Sequence, residues 1–145
     1  MEERTLFEKI IEGEIPSHLV SKGEGYYAFL DIFPRREGHT LVIPLRGVQR
    51  LADLTNQEIS QLFCGVKHVQ SLLGAKFSTT DFTVCLHDGP LSGQEVPHVH
   101  IHVIPRTKGD GGLTLMSMWP KTNLPSTPIH EDLALLSKQL QELDR

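Results

Sequence analysis

The spacing of apolar and polar positions changes repeatedly along the chain, and each change marks an element. Thr5-Leu6-Phe7-Glu8 has the Thr-x-x-Glu form of a capping box, and Phe7, Ile10 and Ile11 follow at helical spacing. The pattern predicts a helix of about two turns running to Gly13. Leu19-Val20-Ser21 and Tyr26 to Asp31 read as two strands around the Gly23-Glu24-Gly25 turn, a hairpin. His39-Thr40-Leu41-Val42-Ile43-Pro44 predicts a largely buried strand that ends at proline. A second capping box, Thr55 with Glu58, opens the longest helix, with Ile59, Leu62, Phe63, Val66, Val69 and Leu73 on one face and Gly74 as its stop. Phe82 to His87 forms the next strand. The turn-forming loop Asp88-Gly89-Pro90-Leu91-Ser92-Gly93-Gln94 then carries the chain into an antiparallel neighbour.

That neighbour contains Pro97-His98-Val99-His100-Ile101-His102-Val103-Ile104-Pro105. Side chains on a strand switch faces at each residue, so the three imidazoles share one face while Val99, Ile101 and Val103 share the other. Attached roughly 7 Å apart, the imidazoles cannot all hold a proton near neutral pH, and they titrate as a coupled set. Beyond Arg106 the chain is irregular through Trp119-Pro120, Pro125 and Pro128. A last helix then starts with Thr127 as cap and Pro128 as first residue. Its stripe of Ile129, Leu133, Leu136, Leu140 and Leu143 suits docking on the domain or on a partner helix.

Length and charge narrow the possibilities. A chain of 145 residues buries about two-thirds of its unfolded surface in one core. The net charge of -4, without a basic stripe, argues against general nucleic-acid binding, where phosphate neutralisation dominates affinity. Cys64 and Cys85 lie among apolar residues, which predicts two buried reduced thiols and a reducing, cytoplasmic setting. The acidic opening Met1-Glu2-Glu3-Arg4 meets no long apolar run, so neither a signal peptide nor a membrane span is expected.

Three histidines on one face suit either of two chemistries, and spacing leaves both open. His-x-His on a strand can give two ligands to one zinc ion. Alternatively one imidazole is a nucleophile and its neighbours hold the charged group under attack. Asp31, at the end of an apolar strand, reads equally as a turn cap or as a ligand-binding carboxylate. His39 alone reads as a hydrogen-bonded structural residue. The glycines and serine of the 88–94 loop can bring backbone N–H groups close to an oxyanion.

His98-Val99-His100-Ile101-His102-Val103-Ile104 resembles the signature of the histidine triad (HIT) superfamily of nucleotide hydrolases and transferases. Phe7 to Pro16, Ala28 to Ile32, Gly38 to Pro44 and Gly93-Gln94-x-Val96 resemble further segments of that superfamily, in its order. The resemblance implies an α+β fold: an antiparallel sheet of about five strands with one long helix packed on it, plus short N-terminal and C-terminal helices. It places the domain at residues 1–112 and a C-terminal extension at 113–145, in a homodimer; no cofactor, metal, nucleic acid or membrane is expected as a partner.

The same resemblance makes His100 the nucleophile on the α-phosphorus of a purine, AMP-containing nucleotide, with His98 and His102 flanking the phosphate. It gives Asp31 the ribose, Phe7, Phe29 and Ile32 the base, and His87, Gly93 and Gln94 the phosphate, with His39 close behind. The implied substrate is a dinucleoside polyphosphate or a nucleoside phosphoramidate; the alternative is a purine-nucleotide-binding regulatory module with incidental turnover. The 88–94 loop resembles that of the polyphosphate-hydrolysing Fhit branch more than that of the phosphoramidase Hint branch. Thr5 and Glu8 stand where many bacterial members carry a zinc-binding Cys-x-x-Cys, so a two-cysteine zinc site is not expected.

Overall fold

The computed structural model describes residues 3–121 and 126–144; Met1-Glu2 and Pro125, which figure in the expectations above, lie outside them. Two compact units are present, Met1–Asp110 and Gly111–Arg145. The first contains helices α1 (Leu6–Ile11) and α2 (Asn56–Phe77) and strands β1 (Leu19–Gly23), β2 (Tyr26–Leu30), β3 (Thr40–Pro44), β4 (Asp81–Leu86) and β5 (Ile101–Arg106). The strands form one antiparallel sheet in the order β1-β2-β3-β5-β4.

Both faces of this sheet are covered, which explains why β3 is buried at every position. Tyr26, Ala28, Val42, Ile101 and Val103 point to the face covered by Leu62, Val66, Val69 and Leu73 of α2. Their neighbours Phe29, Leu41 and Ile43 point to the opposite face and pack with Phe7 and Ile10 of α1. Gly65 lets α2 come close, because a Cβ there would lie 2.5 Å from the Tyr26 ring. Among the described residues no helix is long and apolar enough to cross a membrane.

Several expected boundaries move. α2 continues past Gly74 to Phe77 and ends at Ser78, whose φ of 53° is left-handed. Gly74 serves the helix end from within: its carbonyl accepts the N–H groups of Ser78 and Thr79, and a Cβ would meet the Thr79 carbonyl at 2.8 Å. Cys64 is exposed and Cys85 half-buried, so the expected pair of buried thiols is not found. Phe63 is also exposed, since the helical face that carries both turns away from the sheet.

In the second unit α3 spans His130–Leu143, with Ile129 as its cap residue and no side-chain capping bond, so Thr127 and Pro128 precede the helix. The stripe of Ile129, Leu133, Leu136, Leu140 and Leu143 is exposed.

The most consequential shift concerns the histidines. The regular strand starts at Ile101, where β3 and β4 pair with β5 on both sides. Upstream, Pro97 has no N–H, the His98 N–H turns back to the Val96 carbonyl, and the Val99 N–H goes to Val48. Only His102 of the three therefore sits within the ladder.

Candidate active site

A cleft of about 500 Å³ opens between α1, the end of β2 and the histidine stretch. Its apolar wall includes Phe7, Ile10, Ile15, Phe29 and Leu41, with the exposed Ile32 and Phe33 also contributing. Its polar wall includes Asp31, Arg35, His39, His87, Gly93, His100 and His102.

The hydrogen bonds assign a proton to each ring. His100 Nδ1 lies 2.7 Å from the His98 carbonyl, which can only accept, so Nδ1 carries the hydrogen and the Nε2 lone pair is free. His98 Nε2 donates to the Pro44 carbonyl at 2.9 Å, and His98 Nδ1 accepts from the Thr5 hydroxyl at 2.7 Å. His39 Nδ1 accepts the Arg35 backbone N–H at 3.1 Å. The His39 proton is thus on Nε2, which donates to His102 Nδ1 at 2.9 Å and leaves His102 with an N–H at Nε2. His87 Nδ1 donates to the Ser92 carbonyl at 2.7 Å, and its ring meets that of His102 edge-on at 5.5 Å. The site presents a lone pair on His100 beside an N–H on His102, with ring centres 5.1 Å apart.

Burial keeps the rings of His39, His98, His100 and His102 neutral. Burial lowers the pKa of His100, outweighing the opposing bond to the His98 carbonyl, and burial likewise lowers His98 and His39. His102 is pushed down to about 4, by burial first and then by His100, His39 and His87 around it. A neutral His100 retains the lone pair that a nucleophile requires.

The two oxygens of Asp31 have different surroundings. Oδ1 accepts the Phe33 N–H at 2.8 Å and closes the turn, while Oδ2 lies 3.5 Å from His39 Nε2 on the cleft wall. Asp31, His39 and His102 also bring three ligand-type atoms within 4.8 Å of one another. This set does not fit a metal. A ligating histidine offers a lone pair and donates its other N–H to an acceptor, whereas His39 Nδ1 faces a donor and its Nε2 is protonated.

The HIT domain family model matches residues 12–109. The chain belongs to the HIT family. It is 42% identical over 106 residues to an uncharacterised HIT-like protein of Methanocaldococcus jannaschii, covering 73% of this chain and 81% of the relative. An asymmetrical bis(5'-nucleosyl)-tetraphosphatase of Schizosaccharomyces pombe is 47% identical over 83 residues, 57% of this chain and 46% of that enzyme. The adenosine 5'-monophosphoramidase hnt1 of the same yeast is 30% identical over 135 residues, 93% of this chain and 94% of the relative. Among solved structures, a HIT family member from Bacillus subtilis superposes with a TM-score of 0.79 at 30% identity, covering 97% of this chain and 96% of that one.

The α+β fold, a five-stranded antiparallel sheet with one long helix, is that of the family. Of the residues singled out from sequence, Phe7, Phe29, Asp31, Ile32, His39, His87, Gly93, His100 and His102 line the HIT cleft. His98 does not line it: the ring is fully buried, with both nitrogens bonded elsewhere, and its backbone carbonyl is what reaches His100. Gln94 also lies off the cleft, its amide donating to the Gln49 carbonyl at 2.8 Å and its Oε1 buried without a partner among the described residues. Sequence reasoning missed Arg35, whose backbone N–H sets the His39 tautomer and leaves no mark in the residue type. It also read Thr5 as a helix cap and as the replacement of a zinc-binding cysteine, not as a partner of His98.

Proposed function

We propose that this HIT protein cleaves a nucleotide at its α-phosphate through a covalent adduct on His100. One observation carries the reading: the His100 ring is held by Nδ1–H to the His98 carbonyl, which leaves the Nε2 lone pair for the cleft. Attack by Nε2 forms a phosphorus–nitrogen bond as the bond from phosphorus to the leaving group breaks. The His102 Nε2–H donates a hydrogen bond to the departing atom and stabilises the negative charge that develops there. The positive charge gained by the His100 ring is stabilised by the carbonyl on its Nδ1–H. Water then adds its oxygen to phosphorus as the phosphorus–nitrogen bond breaks, a proton passes to solvent, and the nucleoside monophosphate leaves behind a neutral imidazole.

The apolar wall of Phe7, Phe29 and Ile32 suits a purine, and the remaining lone pairs of Asp31 suit the ribose diol. His87 and Gly93 stand beside the phosphate. Substrates of two kinds fit, dinucleoside polyphosphates and nucleoside phosphoramidates, in keeping with the tetraphosphatase and phosphoramidase among the relatives.

Acid-quenched mass spectrometry after mixing with diadenosine tetraphosphate, and separately with adenosine 5'-phosphoramidate, should find an adenylyl group on His100 and rank the two substrates. His100→Ala should lose the adduct and fall below about a hundredth of wild-type turnover while still binding AMP. An adduct on His102, or a His100→Ala protein above that level, would overturn the assignment. Asp31→Ala should weaken AMP binding by about 1.5–3 kcal/mol and leave 2',3'-dideoxy-AMP little changed.

A further inference from the structure

The carbonyl that orients His100 belongs to His98, one residue short of Val99 and three short of the first ladder pair, so the sheet does not fix it directly. Its peptide plane is held on one side by the Val99 N–H to Val48 at 2.8 Å. On the other side the His98 ring is pinned between the Pro44 carbonyl and the Thr5 hydroxyl, with Phe7 edge-on at 5.5 Å. Thr5 is itself immobilised. Its Oγ1 accepts the Glu8 N–H at 3.0 Å, and Glu8 Oε1 accepts the Thr5 N–H at 3.0 Å, which completes the capping box of α1. With that lone-pair site occupied, the hydroxyl hydrogen is available to His98 Nδ1, the ring proton stays on Nε2, and Nε2 stays on Pro44.

We infer that Thr5 is a positioning residue for the reaction, acting through the His98 ring and carbonyl to hold His100 in its attacking orientation. The inference rests on the proposed role of His100. Without the Thr5 hydroxyl, His98 Nδ1 becomes a buried acceptor with no donor, a costly state that the ring relieves by turning or by moving its proton. Either response frees the Pro44 contact and loosens the carbonyl behind His100. Adduct formation should then slow while nucleotide binding, which depends on Asp31 and the apolar wall, persists.

The test compares Thr5→Val with Thr5→Ser and with Thr55→Val, the same loss in the capping box of α2. Single-turnover adenylylation from diadenosine tetraphosphate should slow about tenfold in Thr5→Val, the worth of one hydrogen bond in the transition state, with AMP affinity unchanged. Thr5→Ser should recover most of the loss, and Thr55→Val should adenylylate at the wild-type rate. Nitrogen-15 spectra of the wild type should show the His98 proton on Nε2, and Thr5→Val should shift that signal. A Thr5→Val protein that differs from Thr55→Val in neither rate nor spectrum would overturn the inference. So would a wild-type His98 proton on Nδ1, which decides the matter even if Thr5→Val fails to fold. If the wild type forms no adduct, the proposed function falls, while a shifted His98 signal still upholds the clamp.

Discussion

Two helices of this protein begin with the same capping box, Thr5 with Glu8 and Thr55 with Glu58, and the bonds within each box have nearly the same lengths. Their surroundings differ. Thr55 is exposed, and its partner Glu58 turns outward to a two-pronged pair with Arg46 at 2.7 and 3.0 Å. Thr5 is half-buried, and its hydroxyl reaches His98, 93 residues away in sequence. A helix cap uses a threonine hydroxyl as acceptor and leaves its hydrogen unassigned. In one box that hydrogen faces solvent; in the other it meets an imidazole behind the nucleophile.

The largest expected effect separates the ring of His102 from that of His98. His102→Ala removes the donor to the leaving group and should slow cleavage by roughly two to four orders of magnitude. His98→Ala keeps its carbonyl, so its rate loss should be smaller. Removal of a fully buried ring should nevertheless lower unfolding stability by about 3 kcal/mol. Steady-state kinetics and urea unfolding of both variants decide this, and equal rate losses would place His98 in the reaction itself.

Acid should distinguish the two boxes by pH. The folded pKa values of His39, His98, His100 and His102 lie below the ordinary 6.5, so the unfolded chain takes up protons first as pH falls. Stability from these rings is complete above about pH 6.5 and is lost as pH drops through their folded values, reaching about 4 for His102. Adenylylation should decline below pH 6.5, where the folded protein's His100 takes up its proton, because a protonated His100 has no lone pair. Around the second box, Glu58 is held at about 2 by Arg46 and the Thr55 N–H, so its contribution persists above pH 4.5 and fades toward 2. Exposure of the Arg46 pair keeps that contribution small. Urea midpoints from pH 8 to 3 should therefore fall mainly between 6.5 and 4; a fall confined below 4.5 would contradict the buried neutral rings.

The smallest effect is the plain cap. Thr55→Val should cost about 1 kcal/mol of stability, read from the thermal midpoint, with kcat unchanged. A change in kcat would mean that the second box also reaches the site.

Much of this was written locally. Both boxes, the hairpin and the apolar face of α2 are short-range patterns, so spacing alone located them, and it also marked His98, His100 and His102 as a chemical group. The strand limit at Ile101 depended on pairing with β3 and β4, which only the assembled sheet supplies. The roles within the triad were decided there too. A histidine has two nitrogens, and which one holds the proton depends on whether a carbonyl, a hydroxyl or an N–H from a distant segment faces it. Pro44 and Thr5 turned His98 away from the cleft, Arg35 set His39 and through it His102, and the His98 carbonyl freed the Nε2 lone pair of His100. Two of these partners act through backbone carbonyls, which every residue type carries, and one through a backbone N–H, which every type but proline carries, so no reading of residue types could have singled them out.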